Sequence, residues 1–354
     1  MLTGIIAVLA RPALAQIQPA APSGGLINPQ AIVFNPAAGK VYAVDTGRGA
    51  VEIYNVALQT SRRVQVGASP VSIAVNVTTG RAYVANAGDG TVSVLDGESD
   101  AVLATVPVGS HPYSIAANSV TGKVYVSHTF SDQLSILDGA TNTATSLKTP
   151  SPDLISVNPA TNTVYLLGYE GGTVTVLDGA SETTHAMEAG KHAWGMTLNT
   201  KTGILYVARL GVAGVAVLDG SSSSAVILPA GAIPCAIAVN SKTDTLYVAN
   251  YGENTVSVID AKQGRTVATV SVGNHPQAIA LDAIRDLVYV ANTHSDSVTV
   301  IDGSSNKVLA TLPAGRNPYA LAVVPNSTRL YVANEANGES STIVDLNKIH
   351  VPVF

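Results

Sequence analysis

The tetrapeptide Tyr-Val-Ala-Asn begins at Tyr83, Tyr247, Tyr289 and Tyr331, and degenerate copies begin at Tyr42, Tyr125, Tyr165 and Tyr206. Successive tyrosines lie 41, 42, 40, 41, 41, 42 and 42 residues apart. Unrelated loops would not keep such a register, so one structural unit is copied eight times along the chain. Within the copy at 277–315, four short segments rich in Val, Ile, Ala and Thr can be marked: Ala278–Asp282, Leu287–Asn292, Ser297–Asp302 and Val308–Gly315. The third alternates apolar and polar residues, as a half-covered strand does, whereas the first two are nearly all apolar, as strands covered on both faces are. Polar turns separate the segments, among them Asn35–Lys40, Asn118–Lys123 and an aliphatic-Asp-Gly turn at Asp96, Asp138, Asp178, Asp219 and Asp302.

Four antiparallel strands in each of eight repeats predict an all-β chain, a β-propeller of eight four-stranded blades. Seven blades is the alternative, should the last repeat be incomplete or its final strand close the first blade. First strands are expected near Gln30, Val71, Tyr113, Asp153, Trp194, Cys235, Gln277 and Tyr319, and the last outer strand over Ile349–Phe354. Helical repeats are excluded because no 3.6-residue periodicity survives after Gln16. Hairpin-length turns disfavour a parallel β-helix. Composition agrees: 46% hydrophobic against 12% charged residues supports a large core. A net charge of −5 with 19 Lys and Arg leaves no basic surplus for nucleic acid.

The best copy, Gly231 to Gly273, reads "AIAVN", "YVAN", "TVSVID" and "VATVSVG". On these motifs the chain resembles the YVTN family of β-propellers over residues 30–354, with the copies at Tyr42 ("YAVD") and Tyr165 ("YLLG") departing most. The resemblance implies a propeller at the cell surface or in the periplasm, and no one reaction. Ahead of the propeller, an apolar run at Leu2–Leu9 and Ala13-Leu14-Ala15 before Gln16 match a signal-peptide pattern, although Arg11 follows the apolar run. Residues 1–15 are therefore expected to be a signal-peptide remnant, 16–29 a lead-in, and the protein secreted, periplasmic or on the cell surface. The run is too short to span a bilayer. Cys235 is the single cysteine, expected as a buried thiol. A monomer is expected.

Residues that differ at equivalent positions carry the functional expectation, because the scaffold asks the same of every blade. Before the Pro, or its equivalent, of each first strand stand Asn28, Ser69, His111, Ser151, His192, Ile233, His275 and Asn317. Propeller connectivity puts this loop on the same face as the loop between second and third strands, which carries His128, Arg209 and His294. Tyr113, Trp194 and Tyr319 follow two residues after the first loop position, and Asp132, Glu170, Glu253, Asp296 and Glu335 lie in the neighbouring loops. The candidate ligand site is thus His111, His192, His275, Tyr113, Trp194, Tyr319 and Arg209 at the mouth of the central channel. The bland alternative is that His-Pro is a tolerated turn sequence spread by duplication.

Direct ligation of one metal by the three loop histidines fails on size, since a ring radius of roughly 10–13 Å exceeds a reach of about 6.5 Å. His111 with His128, and His275 with His294, are the candidate pairs for a divalent metal. The sequence has no Gly-x-Ser-x-Gly, His-Glu-x-x-His, phosphate loop or Cys-x-x-Cys-His, and Ser304-x-x-Lys307 stands in a turn without companion motifs. The leading expectation is an exported, non-enzymatic binding or scaffold module that takes a small molecule or a protein at the mouth. The alternatives are a metal-assisted lyase or hydrolase at the histidines and, from the resemblance alone, an envelope structural module.

Overall fold

The structure, a computed structural model, describes residues 32–129, 131–150, 152–169, 171–220, 225–334 and 341–349. Seven antiparallel sheets of four strands and an eighth of three follow one another, each made of consecutive strands. The first strands are Ile32–Asn35, Pro70–Val75, Pro112–Ala117, Leu154–Asn158, Ala193–Asn199, Pro234–Asn240, Pro276–Asp282 and Pro318–Val323. Each touches the first strands on either side, and that of blade eight returns to that of blade one, so these strands line the axis of a closed eight-bladed propeller. In the copy at 277–315 the strands are Pro276–Asp282, Leu287–Asn292, Ser297–Asp302 and Lys307–Pro313, within two residues of expectation.

The last blade contributes Pro318–Val323, Arg329–Asn334 and Ser341–Asp345, followed by a 3-10 turn at Leu346–Lys348. Its expected outer strand over Ile349–Phe354 lies outside the described residues except for Ile349, which is buried in the core between blades seven and eight. The signal-peptide remnant and lead-in, and Asn28, Ser151, Glu170 and Glu335, also lie outside them. The ring closes on an apolar cluster of Ile32, Val41 and Ala43 with Tyr319, Ala320 and Tyr331. Helical structure among the described residues is confined to three 3-10 turns of three residues each. No helix there is long and apolar enough to cross a membrane.

The repeat residues hold neighbouring blades together. All eight register tyrosines are buried. Several hydroxyls reach the next blade: Tyr165 Oη donates to Gly203 O at 3.3 Å, and a Cβ at Gly139 would come within 2.5 Å of Tyr83 Oη. The glycine of the aliphatic-Asp-Gly turn therefore serves close approach at Gly97, Gly139, Gly179 and Gly303. Its aspartate serves the turn: Asp138 Oδ1 accepts from the backbone N–H of Ala140 at 2.8 Å and Thr141 at 3.0 Å, and Asp178 accepts likewise from Ala180 and Ser181. These bonds favour the carboxylate and hold both acids below their ordinary range.

Candidate functional site

The position before the first strand is left-handed in the six blades where it is described. Ser69, His111, His192, Ile233, His275 and Asn317 have φ of +50°, +52°, +59°, +54°, +53° and +49°. Asn and His are enriched in this conformation, so backbone geometry accounts for much of the residue choice there. Each carbonyl then accepts from the loop between second and third strands: Thr129 N to His111 O at 3.0 Å, Leu210 N to His192 O at 2.9 Å and Thr293 N to His275 O at 3.1 Å. The two loops are thus tied side by side at one end of each blade. Two residues on, a β-bulge recurs, with the ladder register shifting between Pro70 and Ser72, Ala193 and Gly195, Pro234 and Ala236, Pro276 and Ala278, and Pro318 and Ala320. The extra residue is Val71, Trp194, Cys235, Gln277 or Tyr319, and a bulge re-aims such a side chain.

Beneath these loops the Asn of Tyr-Val-Ala-Asn is a buried staple. Asn250 Nδ2 donates to Thr255 Oγ1 and Ser257 Oγ, both at 2.9 Å, and its Oδ1 accepts from Gly231 N at 3.1 Å. Asn86 and Asn292 repeat the donations to Thr91 and Ser93, and to Ser297 and Thr299. His128 takes the same place in blade three. Its Nδ1 donates to Ser110 O at 2.9 Å and its Nε2 meets Ser135 Oγ at 2.8 Å, and burial lowers its pKa. Both ring nitrogens are spent within the blade, which leaves His128 no free lone pair for a metal shared with His111. His111 itself is exposed.

The expected mouth residues do not form one group. Tyr319 is buried in the core between blades eight and one, and Tyr113 packs against the core between blades four and five. His192 and Trp194 come together around Tyr169, whose ring centroid is 5.9 Å from His192 and 5.5 Å from Trp194. His275 and His294 come together at 4.1 Å, with Tyr251 at 4.4 Å from His275. Burial and the neighbouring His294 lower the pKa of His275. Trp194 and Cys235 lie in one buried apolar cluster against which Tyr169, Leu210 and Tyr251 pack, so this core joins the two ring groups beneath the loops. Cys235 is fully buried, donates to Pro276 O at 3.1 Å, and burial pushes its thiol up to about 12. Tyr169 and Tyr251 escaped the sequence comparison. They follow the Asn position directly, where other blades have Ala87, Thr129 and Thr293, so the same position-by-position comparison would have found them.

Three polar atoms on this surface are buried without a hydrogen-bond partner: Trp194 Nε1, Arg209 Nε and His275 Nδ1. Other such atoms recur from blade to blade, as Asn86, Asn292 and Asn334 Oδ1 or the Tyr42 and Tyr125 hydroxyls do, and belong to the scaffold. The acids of the loops are partly committed, since Asp296 Oδ1 accepts from Asn317 N at 2.9 Å. Among the described residues no group of three His, Cys, Asp or Glu is placed to hold a metal, so His275 and His294 would need other donors to complete a coordination shell.

A sequence model described as lactonase, 7-bladed beta-propeller matches residues 232–308, which hold blade six and the first three strands of blade seven. No curated protein matches the chain. Among solved structures, Kuenenia stuttgartiensis hydrazine synthase is similar at 18% identity and a TM-score of 0.63, over 81% of this chain and 99% of that one. A functionally unknown protein from Desulfotomaculum acetoxidans is similar at 14% identity and a TM-score of 0.62, over 76% and 94%. Dihydro-heme d1 dehydrogenase NirN, in complex with DHE, is similar at 14% identity and a TM-score of 0.66, over 81% of this chain and 66% of its own. At such identities the likeness is one of fold, and the chain is a β-propeller protein.

Proposed function

We propose that the protein is an exported, non-enzymatic binding propeller of the YVTN type, whose working surface is the loop face over blades five to seven. One observation carries this reading: Trp194 Nε1, Arg209 Nε and His275 Nδ1 are buried and unpartnered there, and their blade-specific identity is not a need of the repeat. Buried polar groups are ordinarily satisfied, and exceptions call for a cause such as an absent ligand. The flanking rings of Tyr169, His192, Tyr251 and His294 supply flat contact area of the kind small-molecule sites use. Export rests on the Ala13-Leu14-Ala15 pattern.

The test is a thermal-shift screen of small molecules on the full chain and on the variant His111→Asn, His192→Asn, His275→Asn. Asn317 occupies the same left-handed position in blade eight, so the variant should melt with the parent. Stabilising compounds should lose their effect in it. Retention of every ligand-induced shift would reject the reading. A second reading is favoured by the contact of His275 with His294, which would hold a divalent cation whose Lewis acidity serves a lyase or hydrolase. Stoichiometric metal that disappears in His294→Ala would support it.

A further inference from the structure

Blade five departs from blades two, six and seven at three linked positions. Where blade six pairs Asn250 with Thr255, and Val248 with Ser257, blade five pairs Arg209 with Gly214, and Val207 with Ala216. The staple's asparagine has become an arginine, and both hydroxyls that would accept from it are gone. Arg209 lies opposite Ala193 in the ladder, with Trp194 as the extra residue of the adjoining bulge. Trp194 is 4% exposed, and neither its Nε1 nor Arg209 Nε has a hydrogen-bond partner. The guanidinium lies on Gly190, where a Cβ would stand 2.6 Å from an Nη. Among the described residues Arg209 makes no ion pair.

Resting on the binding surface proposed above, we infer that Arg209 and Trp194 anchor a small organic carboxylate with a flat apolar body. Arginine and the indole N–H only donate, so what they lack is an acceptor. The planar guanidinium fork matches a carboxylate's two oxygens. Tyr169 and Leu210, in the same cluster as Trp194, offer the apolar body a wall, with the His192 ring beside Tyr169. Arg209 Nε is covered, while the residue as a whole is half-buried. Binding therefore includes a turn of the guanidinium away from Gly190. No internal partner has to be displaced first.

The test titrates the full chain with benzoate, its neutral isostere benzamide, and inorganic phosphate, by calorimetry. Benzoate should bind, with benzamide and phosphate at least about tenfold weaker. The double variant Arg209→Asn, Ala216→Ser restores the Asn-to-Ser half of the blade-six staple, so it should melt no lower than the parent while losing benzoate by about tenfold or more. Gly214 is kept, because a Cβ there would meet Ile227 Cγ2 at 2.8 Å. Trp194→Phe, which removes the N–H donor and keeps an aromatic ring, should weaken benzoate and guards against misfolding of the double variant. Equal binding of benzoate and benzamide, tighter phosphate, or full benzoate affinity in both variants would overturn the inference. If benzoate fails to bind while other compounds still shift the melting temperature through His192 and His275, the inference falls and the binding surface stands. Loss of all binding would sink both.

Discussion

Replacing Asn250 with Ala tests whether the staple beneath the loops holds the blade. The change removes donations to Thr255 Oγ1 and Ser257 Oγ and the acceptor for Gly231 N. Ser257 Oγ still accepts from Gly231 N at 3.2 Å, so that amide is not stranded. Two lost bonds at about 1 kcal/mol net each, with a further cost for hydroxyls left in a closed space, give about 2–4 kcal/mol. Because chains of this size lose at most about 2–4 °C per kcal/mol, the melting temperature should fall by no more than roughly 16 °C. Urea unfolding followed by far-ultraviolet circular dichroism reads the same quantity as a lower midpoint. A loss under about 0.5 kcal/mol, the range of ordinary surface changes, would refute the claim that the repeat asparagine is structural. It would also remove the contrast on which the reading of Arg209 depends.

Three further outcomes follow from the packing. Burial holds the folded pKa of His128 below its ordinary value, so the unfolded chain takes up this proton first, and the residue's contribution is full above about pH 6.5 and is lost as pH falls toward the folded value. His128→Asn, which places here the residue that blades two, six, seven and eight carry, should therefore flatten the decline of melting temperature with acid; an unchanged profile would show that this histidine does not carry it. Cys235, buried with its thiol pushed up to about 12, should resist a disulfide reagent at neutral pH until the protein unfolds, and rapid labelling of the native chain would contradict its placement. Ile233 is a β-branched residue at φ +54°, so Ile233→Asn should stabilise the protein by about 1 kcal/mol in a chemical melt, and a destabilisation would show that its side chain contacts outweigh the backbone cost.

The tyrosine register made the fold legible because each tyrosine does the same work, reaching from a second strand into the next blade, and identical work keeps identical spacing. The turn aspartates were legible for the same reason. The site was less so. His111, His192 and His275 stood out by position, yet a left-handed φ leaves no trace in a single sequence other than the company of Asn and Ser. His128 looked like a loop histidine, but it stands three residues after Tyr125 and so fills the staple position of the repeat. Trp194 and Tyr319 share one place in the repeat and each packs on the blade that follows its own, so residues aligned in the repeat end in separate cores around the ring. The exchange of Asn, Thr and Ser for Arg209, Gly214 and Ala216 was present in the sequence all along. It became meaningful once strand pairing showed that the three positions touch.

A crystallographic fragment screen addresses the central claim most directly, since it maps binding without presupposing a ligand. Fragments should gather on the loop face over blades five to seven, against Trp194, Arg209 and His275, with acidic fragments turned toward Arg209. A cleft of about 430 Å³ on the opposite face, lined by Gln59, Thr328, Arg329, Ile343, Asp345 and Asn347, offers the internal comparison. Fragments that collect in that cleft and leave the loop face of blades five to seven bare would contradict the account.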